Sequence, residues 1–387
     1  MPSSWFNNTN PKRVSVPISS AVVTCLLISK DRIIASCDDH SISVFSLPSG
    51  ERIWKLEDHD GGIWSLGVFE DTLVSGSTDR TIRVWDLTTG KCTHVFGGHE
   101  STVRCMEITL LDTTIDNEGK KVEGFPREGK IPWIVSGSRD HSLRVWRLPR
   151  PRDFRYSRFQ SDGTQIQPIE ELDPTTNPYH HKHLTGHNQT VRALVVNGIT
   201  AISGSYDCTV RVWDIITGQC TWVLVGHLQK VYSLAFDAVH NRVFSGSMDS
   251  SIRIWDLQTG LCQKVLEGHT SLVGLVGISP SFFVSGAADS TLRIWDSQSG
   301  ELRHALSKHI AAITCFKHDE EKLLSGSDGS LTLWDIRSGK VIKDLLSGVT
   351  GIWRVNFEDQ WCVSASNVES ITMLDIWDFN TNEEEIL

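Results

Sequence analysis

The stretch SGSTDRTIRVWD, residues 75–86, returns as SGSRDHSLRVWR at 136–147, SGSYDCTVRVWD at 203–214, SGSMDSSIRIWD at 245–256 and SGAADSTLRIWD at 285–296. Weaker copies lie at Ser36–Phe45, Ser325–Asp335 and Ser364–Asp375, which brings the count to eight. Most copies are preceded by Gly-His or a degenerate form of it: Asp58-His59, Gly98-His99, Gly186-His187, Gly226-His227, Gly268-His269 and Lys308-His309. Self-similarity at a fixed period means that one supersecondary unit is repeated, each copy burying its apolar faces against its neighbours.

A Gly-His followed by a Trp-Asp at a period of roughly 40 residues is the WD40 signature, in which each repeat supplies one four-stranded blade of a β-propeller. Eight copies predict an all-β, eight-bladed propeller of four-stranded antiparallel blades over residues 19–379. Short apolar runs such as Trp133-Ile134-Val135 and Leu143-Arg144-Val145-Trp146 fit strands covered on both faces. Eight repeats leave a surplus, which falls in two insertions at 109–130 and 149–179, rich in charge and proline and read as mobile loops without strand alternation. Residues 1–18 form an N-terminal arm. Its KRVSVP, residues 12–17, is expected to supply the closing strand of the last blade and so remove an exposed edge. Residues 380–387 read as an acidic, frayed tail.

Composition excludes more than it assigns. No apolar run approaches the roughly 18 residues a bilayer crossing requires, and residues 1–10 lack the basic, apolar, small-residue order of a secretory signal, so neither a membrane nor a secreted role is expected. The formal charge of -10 argues against wholesale phosphate-backbone contact, and no nucleic-acid partner is expected. Nine cysteines without CxxC pairs or metal-ligand spacing read as reduced core thiols of a nuclear or cytoplasmic protein, with no metal and no cofactor.

The repeated His, Asp and Trp residues invite a catalytic reading, but their periodicity assigns each to its own blade. Asp140 or Asp207 tightens a turn, and Trp146 or Trp213 fills space between blades. No catalytic residue is assigned. Function is expected where the copies disagree, at two variable columns on one rim. The residue after the apolar start of the innermost strand reads Trp64, Arg104, Arg192, Tyr232, Gly274, Thr314 and Arg354 through repeats two to eight. The residue before the turn Asp reads Thr78, Arg139, Tyr206, Met248 and Ala288, with Arg80 just beyond the Asp of the second repeat.

Arg104, Arg139 and Arg192 thus gather on consecutive blades without a matching row of carboxylates, an arrangement that repels itself unless an anion sits between the guanidinium groups. A phosphoserine or phosphothreonine, with close to two negative charges and three acceptor oxygens, fits such a set of guanidinium forks, and the Tyr206 hydroxyl adds a donor. Trp64 beside Thr78 and Thr102 offers a flat wall for a flanking proline. Leu272, Leu275 and Trp353 read either as a second apolar pocket or as ordinary core.

These residues carry a resemblance. The stretch DTLVSGSTDRTIRVWDLTTGKCTHVFGGHESTVRCMEI from Asp71, with VSGSRD at Val135, TVRAL at Thr190, SGSYD at Ser203, VYSLAF at Val231 and GHTSLVG at Gly268, resembles the propeller of the cell-division-control F-box/WD-repeat substrate receptors, from about Pro11 to about Phe379. That family reads phosphorylated degrons for SCF (cullin-RING) ubiquitin ligases. The resemblance implies phosphate binding by Arg80, Arg104, Arg139, Arg192 and Tyr206. It further implies peptide binding by Trp64, Thr78, Thr102, Tyr232, Leu272, Leu275 and Trp353. The implied partner is a phospho-Ser/Thr-Pro segment; the SCF adaptor is a partner only if an F-box lies outside this chain, because nothing before Pro11 is long enough for that helical domain. The chain then reads as the propeller portion of a longer receptor or as an F-box-less competitor of one. The rival reading is a general WD40 assembly scaffold.

Overall fold

The computed structural model describes residues 4–8, 10–112, 130–149, 169–171 and 173–382. Its strands form eight sheets, and the fold is an eight-bladed β-propeller. Blade 1 is built from Val23–Ser29, Arg32–Cys37, Ile42–Ser46 and Arg52–Leu56, and blade 2 from Ile63–Phe69, Thr72–Ser77, Ile82–Asp86 and Lys91–Phe96. Blade 3 comprises Val103–Asp112, Lys130–Ser138, Leu143–Arg147 and His180–Leu184, and blade 4 comprises Val191–Asn197, Thr200–Ser205, Thr209–Asp214 and Cys220–Val225. Blades 5, 6 and 7 begin at Val231, Val273 and Ile313 and repeat the plan. Blade 8 takes three strands from Gly351–Glu358, Trp361–Val368 and Ile371–Asn382, and its fourth is Pro11–Ser19.

By internal contacts the chain divides into two units, residues 58–245 with 253–265, and residues 1–57, 246–252 and 266–387. The first holds blades 2 to 4 and most of blade 5. Its cores include Val74, Val84, Phe96, Met106 and Trp146 in one cluster and Ile202, Val212, Leu224, Leu234 and Trp255 in another, nearly all shut off from solvent. The second holds blades 1, 6, 7 and 8. There the helical turn Ser4–Asn7 drives Trp5 into a cluster with Phe357 and Phe379, its ring stacked 3.8 Å from that of Phe379 and its Nε1–H donated to the Asp359 carbonyl at 2.9 Å.

The phrase Ser-Gly-Ser explains itself in the packing of one blade on the next. A Cβ on Gly137 would come within 2.8 Å of Val191, and one on Gly204 within 2.7 Å of Val231, each the first residue of the following blade's inner strand. Only glycine lets the sheets approach so closely. The Gly-His and Trp-Asp ends meet in a relay within each blade. In blade 3, His99 Nδ1–H donates to Asp140 Oδ2 (2.8 Å), the Ser136 hydroxyl donates to His99 Nε2 (2.8 Å), and Trp146 Nε1–H donates to Ser136 Oγ (3.0 Å). Asp140 also accepts from the backbone N–H and hydroxyl of Ser142 and from the N–H of Glu100. Burial keeps the His99 imidazole neutral, with a pKa below its ordinary value. Burial works against the Asp140 carboxylate, but the donors around it hold its pKa well below the usual range. The same relay recurs at His59–Asp79–Ser75–Trp85, His187–Asp207–Ser203–Trp213 and His269–Asp289–Ser285–Trp295. The periodic histidines and aspartates are therefore spent on holding the turns.

Three boundaries differ from the sequence reading. The first insertion was expected from residue 109, yet Thr109–Asp112 continues the inner strand of blade 3, paired in register with Lys130–Trp133, so residues 113–129 are what lies outside the described residues. In the second insertion, read as strandless over 149–179, Ile169–Glu171 runs parallel to His94–Phe96 and adds a fifth strand to the outer edge of blade 2. Three paired residues are too few to leave an alternation pattern. Residues 173–179 then turn back against blade 3, with the Asp173 carboxylate accepting from Thr175 and Tyr179 buried. The Pro11–Ser19 strand pairs antiparallel with Ile371–Asn382, pinned where Arg13 meets Asp375 at 2.8 Å. That strand runs to Asn382, past residue 380 where the acidic tail was expected to begin, and residues 383–387 lie outside the described residues.

Candidate functional site

Register places the first variable column on a recurrent β-bulge. In blades 2, 3 and 4 the pairing of the inner strand shifts between Ile63 and Ser65, Val103 and Cys105, and Val191 and Ala193. The skipped residues are Trp64, Arg104 and Arg192. A bulge leaves its extra residue outside the ladder and re-aims its side chain, which is how one position per blade is released from the core. The second column lies directly alongside. The N–H of Thr78, Arg139 and Tyr206 donates to the carbonyl of Gly62, Thr102 and Thr190, the residue just before each inner strand, at 2.9, 2.9 and 3.0 Å. The next residue, an Asp, caps a turn whose following residue is left-handed: Arg80, His141 and Cys208 have φ of 73, 73 and 70°. Asp Oδ1 holds each turn by accepting from the residue beyond, Thr81, Ser142 or Thr209.

These columns enclose a pocket of about 580 Å³, lined by Trp64, Thr78, Thr102, Arg104, Arg139 and Tyr206 together with Thr190 and Lys230. The lining carries three cationic side chains, Arg104, Arg139 and Lys230, and no carboxylate. The Arg104 guanidinium lies 4.0 Å from the centroid of the Trp64 ring, and the Lys230 ammonium 4.7 Å from that of Tyr206. Arg192 is half-buried on the adjoining bulge with its guanidinium 5.7 Å from the Tyr232 ring, and Tyr232 packs on Tyr206 with ring centroids 5.2 Å apart. Burial, and then the hydrogen bond with Tyr206, raises the pKa of the Tyr232 phenol. Arg139 is exposed at the rim. Cys105, beside Arg104 in the same strand, is no nucleophile in waiting: burial pushes its thiol up to about 12, against the pull of Arg192 and Arg104.

The remaining expected residues sit elsewhere. Arg80 is exposed on its left-handed turn and is not part of the pocket lining. Leu272, Leu275 and Trp353 belong to the other unit. Leu275 and Trp353 pack as partly buried residues against their own cores, and the Leu272 carbonyl accepts from Ala288 N–H at 2.9 Å. In blade 8 the shift falls between Ile352 and Arg354, so the bulged residue is Trp353, not Arg354 as the column had been read. Arg354 instead returns to the ladder opposite Ala365 and donates from Nε to the Thr24 carbonyl at 2.7 Å. The misreading comes from taking Trp353, and not Ile352, as the apolar start of the strand. Thr190 and Lys230 were missed, although both stand in the column that already held Thr102 and Leu272, the residue before the inner strand.

All nine cysteines are unpaired. Among the described residues there is no group of three or more His, Cys, Asp or Glu side chains placed to hold a metal ion, and no helix long and apolar enough to cross a membrane.

The model of the WD domain, G-beta repeat, matches residues 50–86, 125–147, 179–214, 218–256, 260–296 and 300–335, that is six of the eight repeats. The chain is 43% identical over 377 residues to the WD repeat-containing protein pop2 of Schizosaccharomyces pombe, covering 97% of this chain and 52% of that one. It is 45% identical over 379 residues to Cell division control protein 4 of Candida albicans and 36% over 402 residues to that of Saccharomyces cerevisiae, covering 96% and 97% of this chain and 53% and 49% of theirs. The chain thus spans about half the length of the curated relatives it matches. Among solved structures, the computationally designed Ika8 protein superposes with a TM-score of 0.72 at 26% identity, over 93% of this chain and 96% of that one. The chain belongs to the WD-repeat family, as a homologue of the cell division control protein 4 and pop proteins along nearly its whole length.

Proposed function

We propose that the pocket on blades 2 to 5 binds a phosphorylated Ser/Thr-Pro segment, and that the chain is the substrate-reading part of an SCF-type ubiquitin ligase acting in the nucleus or cytoplasm, itself without catalytic chemistry. The observation that carries the reading is the convergence of Arg104, Arg139 and Lys230, with Tyr206 and three threonine hydroxyls, on a cavity whose lining has no carboxylate. Such a site is complementary to a dianion with three acceptor oxygens. A glutamate would satisfy it only in part. Arg192 adjoins the cavity, and Arg80 on its exposed turn adds long-range attraction. Trp64, Thr78 and Thr102 form the wall for the proline after the phosphorylated residue, while Tyr232 backs Tyr206. Leu272, Leu275 and Trp353, in the other unit, are proposed for peptide binding on the strength of the homology alone. The homology with Cell division control protein 4 supports the ligase assignment.

The deciding experiment is a fluorescence-polarisation titration with a Leu-Pro-pThr-Pro peptide and its unphosphorylated twin at fixed physiological salt. Micromolar or tighter affinity that requires the phosphate is expected. Equal binding of the two peptides would return the arginines to a solvated surface and favour the scaffold reading.

A further inference from the structure

Rings meet cations at several places in the molecule: Arg211 lies 6.0 Å from the Trp213 ring centroid and Arg253 5.9 Å from that of Trp255, while Arg13 and Arg242 combine a ring with the carboxylates of Asp375 and Asp237. At the pocket rim the contact is tightest at Arg104, 4.0 Å from the Trp64 centroid. Arg104 lies over Trp64, Arg192 over Tyr232 and Lys230 over Tyr206, one aromatic ring for each of three cations. An aromatic face attracts a cation through its quadrupole yet carries no net charge, so it moderates repulsion within the cluster without cancelling the positive field that an anion needs. Stacking also occupies the flat face of a guanidinium, whereas a phosphate is received at its edge.

From this arrangement, and resting on the phosphate reading above, we propose that Trp64 is a positioning residue for Arg104. The indole holds the guanidinium plane in place before the ligand arrives, in addition to any wall it offers to a proline. Two contributions are thereby joined in one side chain, and they separate by substitution. Trp64→Leu keeps an apolar wall and removes the π face. Trp64→Phe keeps a ring. The Tyr232–Arg192 and Tyr206–Lys230 pairs, at longer distances, repeat the device more weakly.

The test uses two phosphothreonine peptides, one with Pro and one with Ala after the phosphorylated residue, so that the wall is irrelevant to the second. Trp64→Leu is expected to weaken both by about five- to tenfold, the range of a partly desolvated cation–π contact. Trp64→Phe should recover most of the loss, and in an Arg104→Ala background Trp64→Leu should have no further effect on the Ala peptide. In the peptide-free protein, the Arg104 Hε resonance should carry an upfield ring-current shift that disappears in Trp64→Leu. Undiminished binding of the Ala peptide by Trp64→Leu, an equal loss with Arg104 already removed, or an unmoved Arg104 resonance would each overturn the inference. Wild-type protein that ignores the phosphate would overturn the phosphate reading and this role with it. That failure is told apart from the others by the resonance, which reads the stack with no peptide present.

Discussion

Two regions of each blade lie only a few residues apart and obey opposite rules. The His-Asp-Ser-Trp relay is nearly the same in blades 2, 3, 4 and 6, with donor–acceptor distances between 2.6 and 3.0 Å. The bulge one strand away carries Trp64 in one blade, Arg104 in the next and Arg192 in the third. The relay is buried, and every polar atom in it needs its partner; the bulge is outside the ladder, and nothing in the fold dictates its side chain. Repetition therefore marks what each blade needs to fold, and variation marks the positions proposed above for the ligand.

If that division is right, damage in the relay should register as lost stability and damage at the bulges as lost affinity. The largest effect is expected from Trp213→Ala, which removes a fully buried indole and should cost about 3–5 kcal/mol of stability, read by chemical denaturation. Arg139→Ala and Arg192→Ala should each cost roughly 1.5–3 kcal/mol of phosphopeptide affinity with an unchanged melting temperature. A drop in melting temperature comparable to that of Trp213→Ala would erase the distinction. Acid should act on the buried histidines that face these turns, among them His309 of blade 7, whose Nε2 meets Ser325 Oγ at 2.7 Å. Burial, and then the Lys308 charge, depress the His309 pKa to about 4, so the unfolded chain takes up a proton below about pH 6.5 while the folded one resists. Stability present above pH 6.5 is then lost as pH falls towards 4, with His309 alone contributing about 2 kcal/mol between pH 7 and pH 5. A denaturation midpoint that stays flat over that interval would contradict it. The smallest effect belongs to Arg80→Ala, an exposed charge expected to change affinity by less than about 1 kcal/mol and to do so mainly at low salt.

The sequence made the relay easy to read and the rim only half so. Eight copies of one phrase are enough to number the blades, because each glycine and tryptophan answers a packing demand that recurs. Arg139 and Tyr206 were found by their fixed distance from the turn Asp. Lys230 was not, since it stands in a third column, before the inner strand, that has no constant residue beside it except the apolar one that follows. Trp353 was displaced by one position because Ile352 and Trp353 are both apolar, and only the pairing with Ser366 and Ala365 tells which of them is skipped. The parallel strand at Ile169–Glu171 left no pattern at all, being set by the neighbouring edge of blade 2 and not by its own alternation.

Pro11 pairs with Asn382 and Ser19 with Thr372, so blade 8 joins the first strand of the chain to the last. The ends of the two strands, Pro11 and Asn382, thus meet at one corner of the sheet. Tension applied between these two residues would load the pairs one after another from that corner, opening the strand like a zipper, whereas tension along the strand would load all of them in shear. A nascent chain also cannot seat Pro11–Ser19 until Ile371–Asn382 has been made, so the first strand of the propeller to be synthesised is among the last to find its place.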